Sequence, residues 1–512
     1  MRIHLTEYLD ATVQRVPDRV AVIDEDCTIT FAALRQRCRR LSRTISTTVE
    51  GKIRHPIAVF LEKSIDGIVA DIAILYSGNA YMNLDLKTPE TRIAAILEQI
   101  QPALVITDTK HRSQLPEQIK EEQLFLLDQW TEETHASDTV DAQVEATLAP
   151  LIDTDPLCII NTSGSTGVPK GVLLSHRSFF DYMEWAKEAT KIGEDEVVGC
   201  LSPVVFDHFS FELCLMMAQG ATLVLLSRTL AAFPARLLQK TAEHSVSFVF
   251  WVPTIMVNIA NMGLLEKVPQ PALKTVWFAG EVFPTRQFNY WRKILPQVKF
   301  INLYGPAETT VDCTYYIVER ELQDDEPIPI GHACRNADVM ILNERDELCG
   351  PGEEGEICVR GTSLAMGYYN NPEKTAAAFV QNPLNHAYPE RIYRTGDVAV
   401  VNERGEILFK GRRDTLIKHS GYRIELSEIE HVIVNTLKLV RNGCVVYDHA
   451  KKEIVFFYES ESELPVAELR REISTAFPKY MVPSVYIWMS ELPRNTNGKI
   501  DRLKLKEQVQ NG

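Results

Sequence analysis

The stretch NTSGSTGVPKG at residues 161–171 gathers three glycines, four hydroxyl side chains and one lysine directly behind the apolar run LCII. Glycines such as Gly164 and Gly167 let backbone N–H groups approach a polyanion. Thr162, Ser163, Ser165 and Thr166 add hydroxyl donors, and Lys170 adds a charge. That is the composition of a phosphate-binding loop. Its spacing departs from GxxxxGK[ST], which argues against a P-loop nucleotidase. Taken alone, a loop of this kind is more often a surface turn.

Four further segments change that balance: NLYGPAETT at 302–310, YRTGDVAV at 393–400, GRRDTLIKHSGYRIELSEIE at 411–430 and LPRNTNGKIDR at 492–502. With the first loop they resemble, in order and spacing, the signature motifs of the acyl-adenylate-forming superfamily. That superfamily includes acyl-CoA ligases, luciferases and the adenylation domains of nonribosomal peptide synthesis, and the resemblance spans nearly the whole chain. It implies an α/β fold with a core over residues 1–411 that binds ATP and the acid to be activated. A small mobile α+β domain over 412–512 is hinged at Asp414.

Each motif also has a physical reading. Tyr304 offers a flat face on which adenine could stack, with Asn302 and the backbone of Ala279 and Gly280 at its edge. Gly280, Glu281 and Gly305 complete the nucleotide set that the resemblance implies. Glu308 would hold Mg²⁺, a hard cation that prefers carboxylate and phosphate oxygens. Asp397 would accept from the ribose hydroxyls, and Arg412 would support the ribose or phosphates. Thr162, Lys170 and Glu308 stand with Lys499 as the catalytic set. Lys499 would bring an ammonium between two anions, the substrate carboxylate and the α-phosphate. At about 4 Å and an effective dielectric near 20, such a cation contributes about 4 kcal/mol, on the order of a thousandfold in rate.

The resemblance implies two steps. The carboxylate attacks the α-phosphate and pyrophosphate leaves; the C-terminal domain then rotates, withdrawing Lys499 and bringing in the segment from Lys418 to Gly421 for attack by a thiol. The sequence departs from the family pattern at Asn161, commonly Tyr, and at Ala307, commonly Thr.

The acid is read from SPVVFDHFSFEL at 202–213. Asp207 resembles the aspartate with which amino-acid-activating domains pair the substrate ammonium. A carboxylate among apolar residues is costly without a cation. The family's pocket positions fall on Asp207, His208, Phe211, Phe250, Trp277, Ala279, Leu303, Val311, Asp312 and Lys499. The large aromatic side chains leave room for a small amino acid of proline, serine or alanine size. Asp312 calls for a hydroxyl or ammonium partner, from the substrate or from His208. Two alternatives stay open: an acyl-CoA or aryl-CoA ligase using free coenzyme A, and a D-alanine–carrier protein ligase. The expected acceptor is the phosphopantetheine thiol of a separate acyl or peptidyl carrier protein.

These side chains need a scaffold, and the sequence reads as one. Short apolar runs alternate with stretches of helical length: PIAVFLE, ALVITD and LFLLD before residue 150, then VVGCLSP, ATLVLLS, VSFVFWVP, TVWFAGE and KFINLYG. The alternation predicts helix-covered, mostly parallel sheets with the site at their carboxyl ends. Hairpin texture between 340 and 411 predicts a small antiparallel, barrel-like unit. With 45% hydrophobic and 24% charged residues, the 512-residue chain reads as globular. A net charge of −15 argues against nucleic acid and anionic lipid as partners. The ten cysteines lack metal spacing and read as reduced, mostly buried thiols. No secretory leader or membrane-length apolar run is evident, so a cytoplasmic location is expected.

Overall fold

The computed structural model of the protein describes residues 2–25, 27–131, 137–162, 169–412, 416–494 and 500–510. Two large sheets dominate. In the nine-stranded sheet, Val20–Asp24, Thr222–Leu225, Val197–Cys200, Phe248–Trp251, Thr275–Phe278 and Lys299–Tyr304 run parallel, flanked by antiparallel strands at both edges. The seven-stranded sheet is built around Pro56–Val59, Ala80–Asn83, Leu104–Thr107 and Leu124–Leu126, again parallel. Every short apolar run picked out above is a strand in one of these two sheets. Phe248–Trp251 and Thr275–Phe278 are buried at every position, as strands covered on both faces must be.

Helix patterning explains the layers. The helix Phe31–Thr48 starts at Thr30, whose side chain accepts from Ala33 N at 3.3 Å. It buries Phe31, Leu34, Cys38, Leu41 and Ile45, one stripe at helical spacing. By contrast, Ile65–Tyr76 and Asp207–Gln219 are buried almost all round. Both helices share one hydrophobic core with strand residues of both large sheets, including Val22 and Leu223 of the first and Ile57 and Leu104 of the second. This common core fixes the start of the second helix, where Asp207 stands.

Between residues 337 and 412 an antiparallel five-stranded sheet forms, as the hairpin texture predicts. Its last strand, Ile407–Arg412, pairs Arg412 with Asp397, so Arg412 belongs by its ladder to the preceding unit. The C-terminal part has its own core around Ile424, Ile429, Val445, Phe456 and Ile473. It contains the hairpin of Leu416–His419 with Tyr422–Glu425 and a three-stranded sheet. The ten cysteines are free thiols, eight of them buried. Among the described residues, no helix is long and apolar enough to cross a membrane.

The nine-stranded and five-stranded sheets meet at Gly331, where Ile407 N donates to Gly331 O at 2.8 Å. Gly331 has φ +81°, and a Cβ there would stand 2.0 Å from the Tyr315 carbonyl oxygen. Gly331→Ala should therefore destabilise the protein by roughly 2–4 kcal/mol in denaturant unfolding, since both the backbone region and the contact are forbidden. A loss below about 0.5 kcal/mol would contradict this account.

Candidate active site

The carboxyl ends of Phe248–Trp251, Thr275–Phe278 and Lys299–Tyr304 open on one cleft, where the loops they feed carry Gly280, Glu281, Gly305 and Glu308. Thr162 reaches the same cleft from the end of Pro156–Thr162 and pairs with Lys170 across the hairpin. The cleft is closed on its far side by the C-terminal unit, which contributes Lys418, Gly421, Tyr422 and Arg423.

Asp397 is 2% exposed and held by two donors: the Tyr304 hydroxyl at 2.5 Å and Arg412 Nη1 at 2.7 Å. Over the face of the Tyr304 ring stands Lys418, its Nζ 5.4 Å from the ring centre. Burial pushes the Lys418 ammonium below its ordinary pKa, with Asp397 opposing the shift. Asn302, expected at the adenine edge, donates a side-chain N–H to Pro329 O at 2.7 Å. Glu281 accepts from Thr254 and, at 2.8 Å, from the backbone N–H of Gly421. Gly421 has φ +82° and presses on Val252, an approach that favours glycine.

Glu308 has no exposed surface. Its Oε1 accepts from the Tyr368 hydroxyl at 2.7 Å and its Oε2 from Arg423 Nη1 at 2.6 Å. Burial alone would raise its pKa, but Arg423, Tyr368 and Lys170 outweigh it and hold the carboxyl at about 2. Lys170 itself lies 5.2 Å from the centre of the Tyr368 ring, and burial lowers its pKa. Among the described residues no cluster of three His, Cys, Asp or Glu could cage a metal. A permanently ionised lone carboxylate does suit Mg²⁺, which takes its other oxygens from phosphates and water.

The loop between Glu308 and Asp312 is strained. Thr310 and Val311, both β-branched, have φ of 56° and 65°, a region that costs roughly 1–3 kcal/mol per residue. It is held by Thr309 Oγ1 on Pro306 O and Thr310 Oγ1 on Ser363 O, and a Cβ on Gly305 would strike the Asp312 Cα at 2.4 Å.

Asp207 and His208 line the cleft; Phe211, Phe250, Trp277, Ala279, Leu303, Val311 and Asp312 pack behind them. The His208 ring lies 4.1 Å from Phe250, and Phe211 stacks on Trp277 at 5.0 Å. Burial pushes the Asp207 carboxyl up to about 6, against the pull of the His208 backbone N–H at 3.0 Å. Among the described residues Asp207 has no ion-pair partner within 4 Å. Asp312 is pushed up to about 8 by burial; Tyr182 donates to its Oδ2 at 2.8 Å, while among the described residues its buried Oδ1 has no hydrogen-bond partner.

Thr162, Asp207, Gly280, Gly305, Asp397 and Arg412 line one cleft; Tyr304 touches that lining through Asp397, Glu281 through Gly421 and Glu308 through Arg423, with Lys170 beside the Tyr368 that also holds Glu308. Ser163, Gly164, Ser165, Thr166, Gly167, Asp414 and Lys499 lie outside the described residues. Three functional neighbours escaped the sequence reading. Arg423 stands inside the 411–430 motif and was within reach of it. Tyr368, sixty residues from Glu308, and Tyr182, far from Asp312, had no local signal.

A family model described as AMP-binding enzyme matches residues 9–369. Zwittermicin A synthase ZmaJ of Bacillus cereus is 29% identical over 97% of this chain and 94% of its own length. Gramicidin S synthase 2 of Brevibacillus brevis is 31% identical over 98% of this chain, which spans only 11% of that protein. The adenylation domain AlmE of Vibrio cholerae, solved with glycyl-adenosine-5'-phosphate, shares the fold with a TM-score of 0.83. Its identity is 21%, covering 100% of this chain and 98% of AlmE.

Tyr182→Phe removes the donor from a buried carboxyl and should cost about 1–3 kcal/mol of unfolding free energy. Adding Asp312→Leu should recover part of that loss, and strict additivity of the two changes would show that the contact carries no coupling.

Proposed function

Because the chain belongs to the AMP-binding enzyme family, the adenylate-forming ligases, we propose that it activates a small amino acid with ATP and passes it to a thiol. The observation that carries the amino-acid reading is Asp207. Its carboxyl lines the cleft at the start of Asp207–Gln219, is raised to about 6 by burial, and has no cation within 4 Å among the described residues. A substrate α-ammonium would supply the missing charge. The packing behind His208 supports a substrate with little side chain, from glycine to serine or proline in size.

In the first step the substrate carboxylate attacks the α-phosphorus of ATP; a carboxyl oxygen–phosphorus bond forms, and the bond to pyrophosphate breaks. Asp207 orients the amino acid through its ammonium. Asp397 accepts from the ribose hydroxyls, Tyr304 stacks on the base, and Lys170 with the 161–171 loop faces the phosphates. Glu308 would hold Mg²⁺, which when bound neutralises charge on the departing pyrophosphate. Lys499 supplies the ammonium between the two reacting anions. In the second step a thiol displaces AMP from the acyl carbon.

The placement of Lys418 to Arg423 against the cleft supports reading this arrangement of the C-terminal unit as the one used for transfer. The proposed acceptor is the phosphopantetheine arm of a carrier protein; ZmaJ and gramicidin S synthase 2, the named relatives, are synthases. We place the enzyme in the cytoplasm, where ATP is supplied. The proposed functional division is a core and a mobile C-terminal unit that pivots at Asp414, with the expected boundary at 411/412 moved past Arg412 because its strand pairs with Asp397 of the core.

Pyrophosphate release from ATP, measured across the proteinogenic amino acids, D-alanine, β-alanine, a benzoate and a medium-chain fatty acid, tests this reading. A response to glycine, alanine, serine or proline is expected. A response only to the benzoate or the fatty acid would move the enzyme to the CoA ligases and overturn the role of Asp207. Asp207→Ala should raise the amino-acid KM by roughly 30-fold or more, leaving the ATP KM within about threefold. The free carboxyl titrates near 6 and the ammonium needs it ionised. The amino-acid KM should therefore be level above that pH and climb about tenfold per unit below it. Lys499→Ala should abolish adenylate formation while preformed acyl-AMP still transfers; retained single-turnover adenylation would remove the role given to Lys499.

A further inference from the structure

Glu308 is the carboxylate proposed to carry Mg²⁺, yet in this arrangement the protein uses both of its oxygens. Oε1 takes the Tyr368 hydroxyl and Oε2 takes Arg423 Nη1 at 2.6 Å. The two partners differ in origin. Tyr368 belongs to the strand Gly367–Tyr368, which pairs with Lys170–Ser175 of the core. Arg423 comes from the hairpin strand Tyr422–Glu425 of the C-terminal unit, whose neighbours Gly421 and Tyr422 also dock on the core. Gly421 N donates to Glu281, and the Tyr422 ring lies 5.0 Å from Phe206. Arg423 therefore reaches Glu308 only when this face of the unit is turned inward.

A carboxylate with no exposed surface needs a counter-charge whether or not a metal is bound. Arg423 supplies it: its guanidinium is 16% exposed, pairs with Glu308, and is the largest influence holding that carboxyl low against burial. With Tyr368 on Oε1 and Arg423 on Oε2, neither Glu308 oxygen is without a partner, so a metal ion arriving at either one competes with a donor already there and meets the repulsion of a second cation across the same carboxylate.

We propose that Arg423 is a positioning residue that takes the place of Mg²⁺ on Glu308. On this view the metal-loaded site and the arrangement seen here exclude each other. The inward turn of the Lys418–Arg423 face waits for magnesium to leave with pyrophosphate, and the next magnesium–nucleotide complex drives the face out again. This rests on the adenylating function proposed above. It adds a physical reason why the two steps cannot overlap: one buried anion serves two cations in turn.

The test reads geometry, not turnover. A donor fluorophore on Cys27, the exposed native thiol of the core, and an acceptor on Glu463→Cys, an exposed position of the C-terminal unit, report the separation of the two parts. The probe is α,β-methylene-ATP, with and without Mg²⁺. The expected result is that the analogue in EDTA leaves the separation at its starting value, whereas added Mg²⁺ shifts it. Arg423→Gln should lower the Mg²⁺ midpoint of that shift at least threefold, and Arg423→Lys, which keeps a charge but loses the fork, should fall between the two.

Equal shifts with and without Mg²⁺, or the same Mg²⁺ midpoint in wild type and Arg423→Gln, would overturn the proposal. Should Arg423→Gln fail to fold, the wild-type Mg²⁺ dependence and Arg423→Lys still decide. A purely structural Arg423 would change the starting separation without moving the Mg²⁺ midpoint. Failure of the amino-acid reading would appear separately, as absent pyrophosphate release with an intact Mg²⁺-driven shift.

Discussion

Glu308 has no exposed surface, and an ionised carboxylate so far from water persists only where cations and hydroxyls meet it. Arg423, Tyr368 and Lys170 meet this one, and each arrives from a different part of the chain. The same requirement governs the rest of the cleft. Asp397 is held by Arg412 and Tyr304, Lys418 feels the charge of both Asp397 and Asp312, and Asp312 accepts from Tyr182. Compensation of buried charge thus ties the core, the antiparallel sheet and the C-terminal hairpin into one site.

Asp207 stands apart within that network. Its carboxyl is raised by burial, with Glu308 adding repulsion and Lys418 opposing it. Its position at the first turn of an almost wholly buried helix gives it little freedom to move. Asp397, held by Arg412 and Tyr304, and Asp207, with no ion-pair partner within 4 Å among the described residues, thus differ in charge compensation within one cleft.

The interface between core and C-terminal unit is correspondingly polar. Arg92 pairs with Glu428, Arg228 lies 5.1 Å from the Tyr422 ring centre, and Gly421 donates to Glu281. Polar contacts of this kind exchange water for protein partners at little net gain. They contrast with the apolar core that locks the two large sheets together.

The strands were legible in the chain because period, apolar runs and turn residues are local properties. LCII, VSFVFWVP and TVWFAGE each became a strand, and Thr162 and Gly280, at or just past the ends of two of them, line the cleft. The motif residues Tyr304, Glu308, Asp397 and Arg412 were legible too, because their neighbours in sequence mark them. What tertiary structure alone decided was partnership. Nothing near Asp312 announces Tyr182, 130 residues away, and nothing near Glu308 announces Tyr368. Nor does anything near Asn302 announce Pro329, to whose carbonyl oxygen it donates. Which side chains back His208, and which cation meets Glu308, depend on how sheets and helices stack and on which face the C-terminal unit presents. Those are outcomes of packing and buried-charge compensation over long sequence separations, which no local pattern encodes.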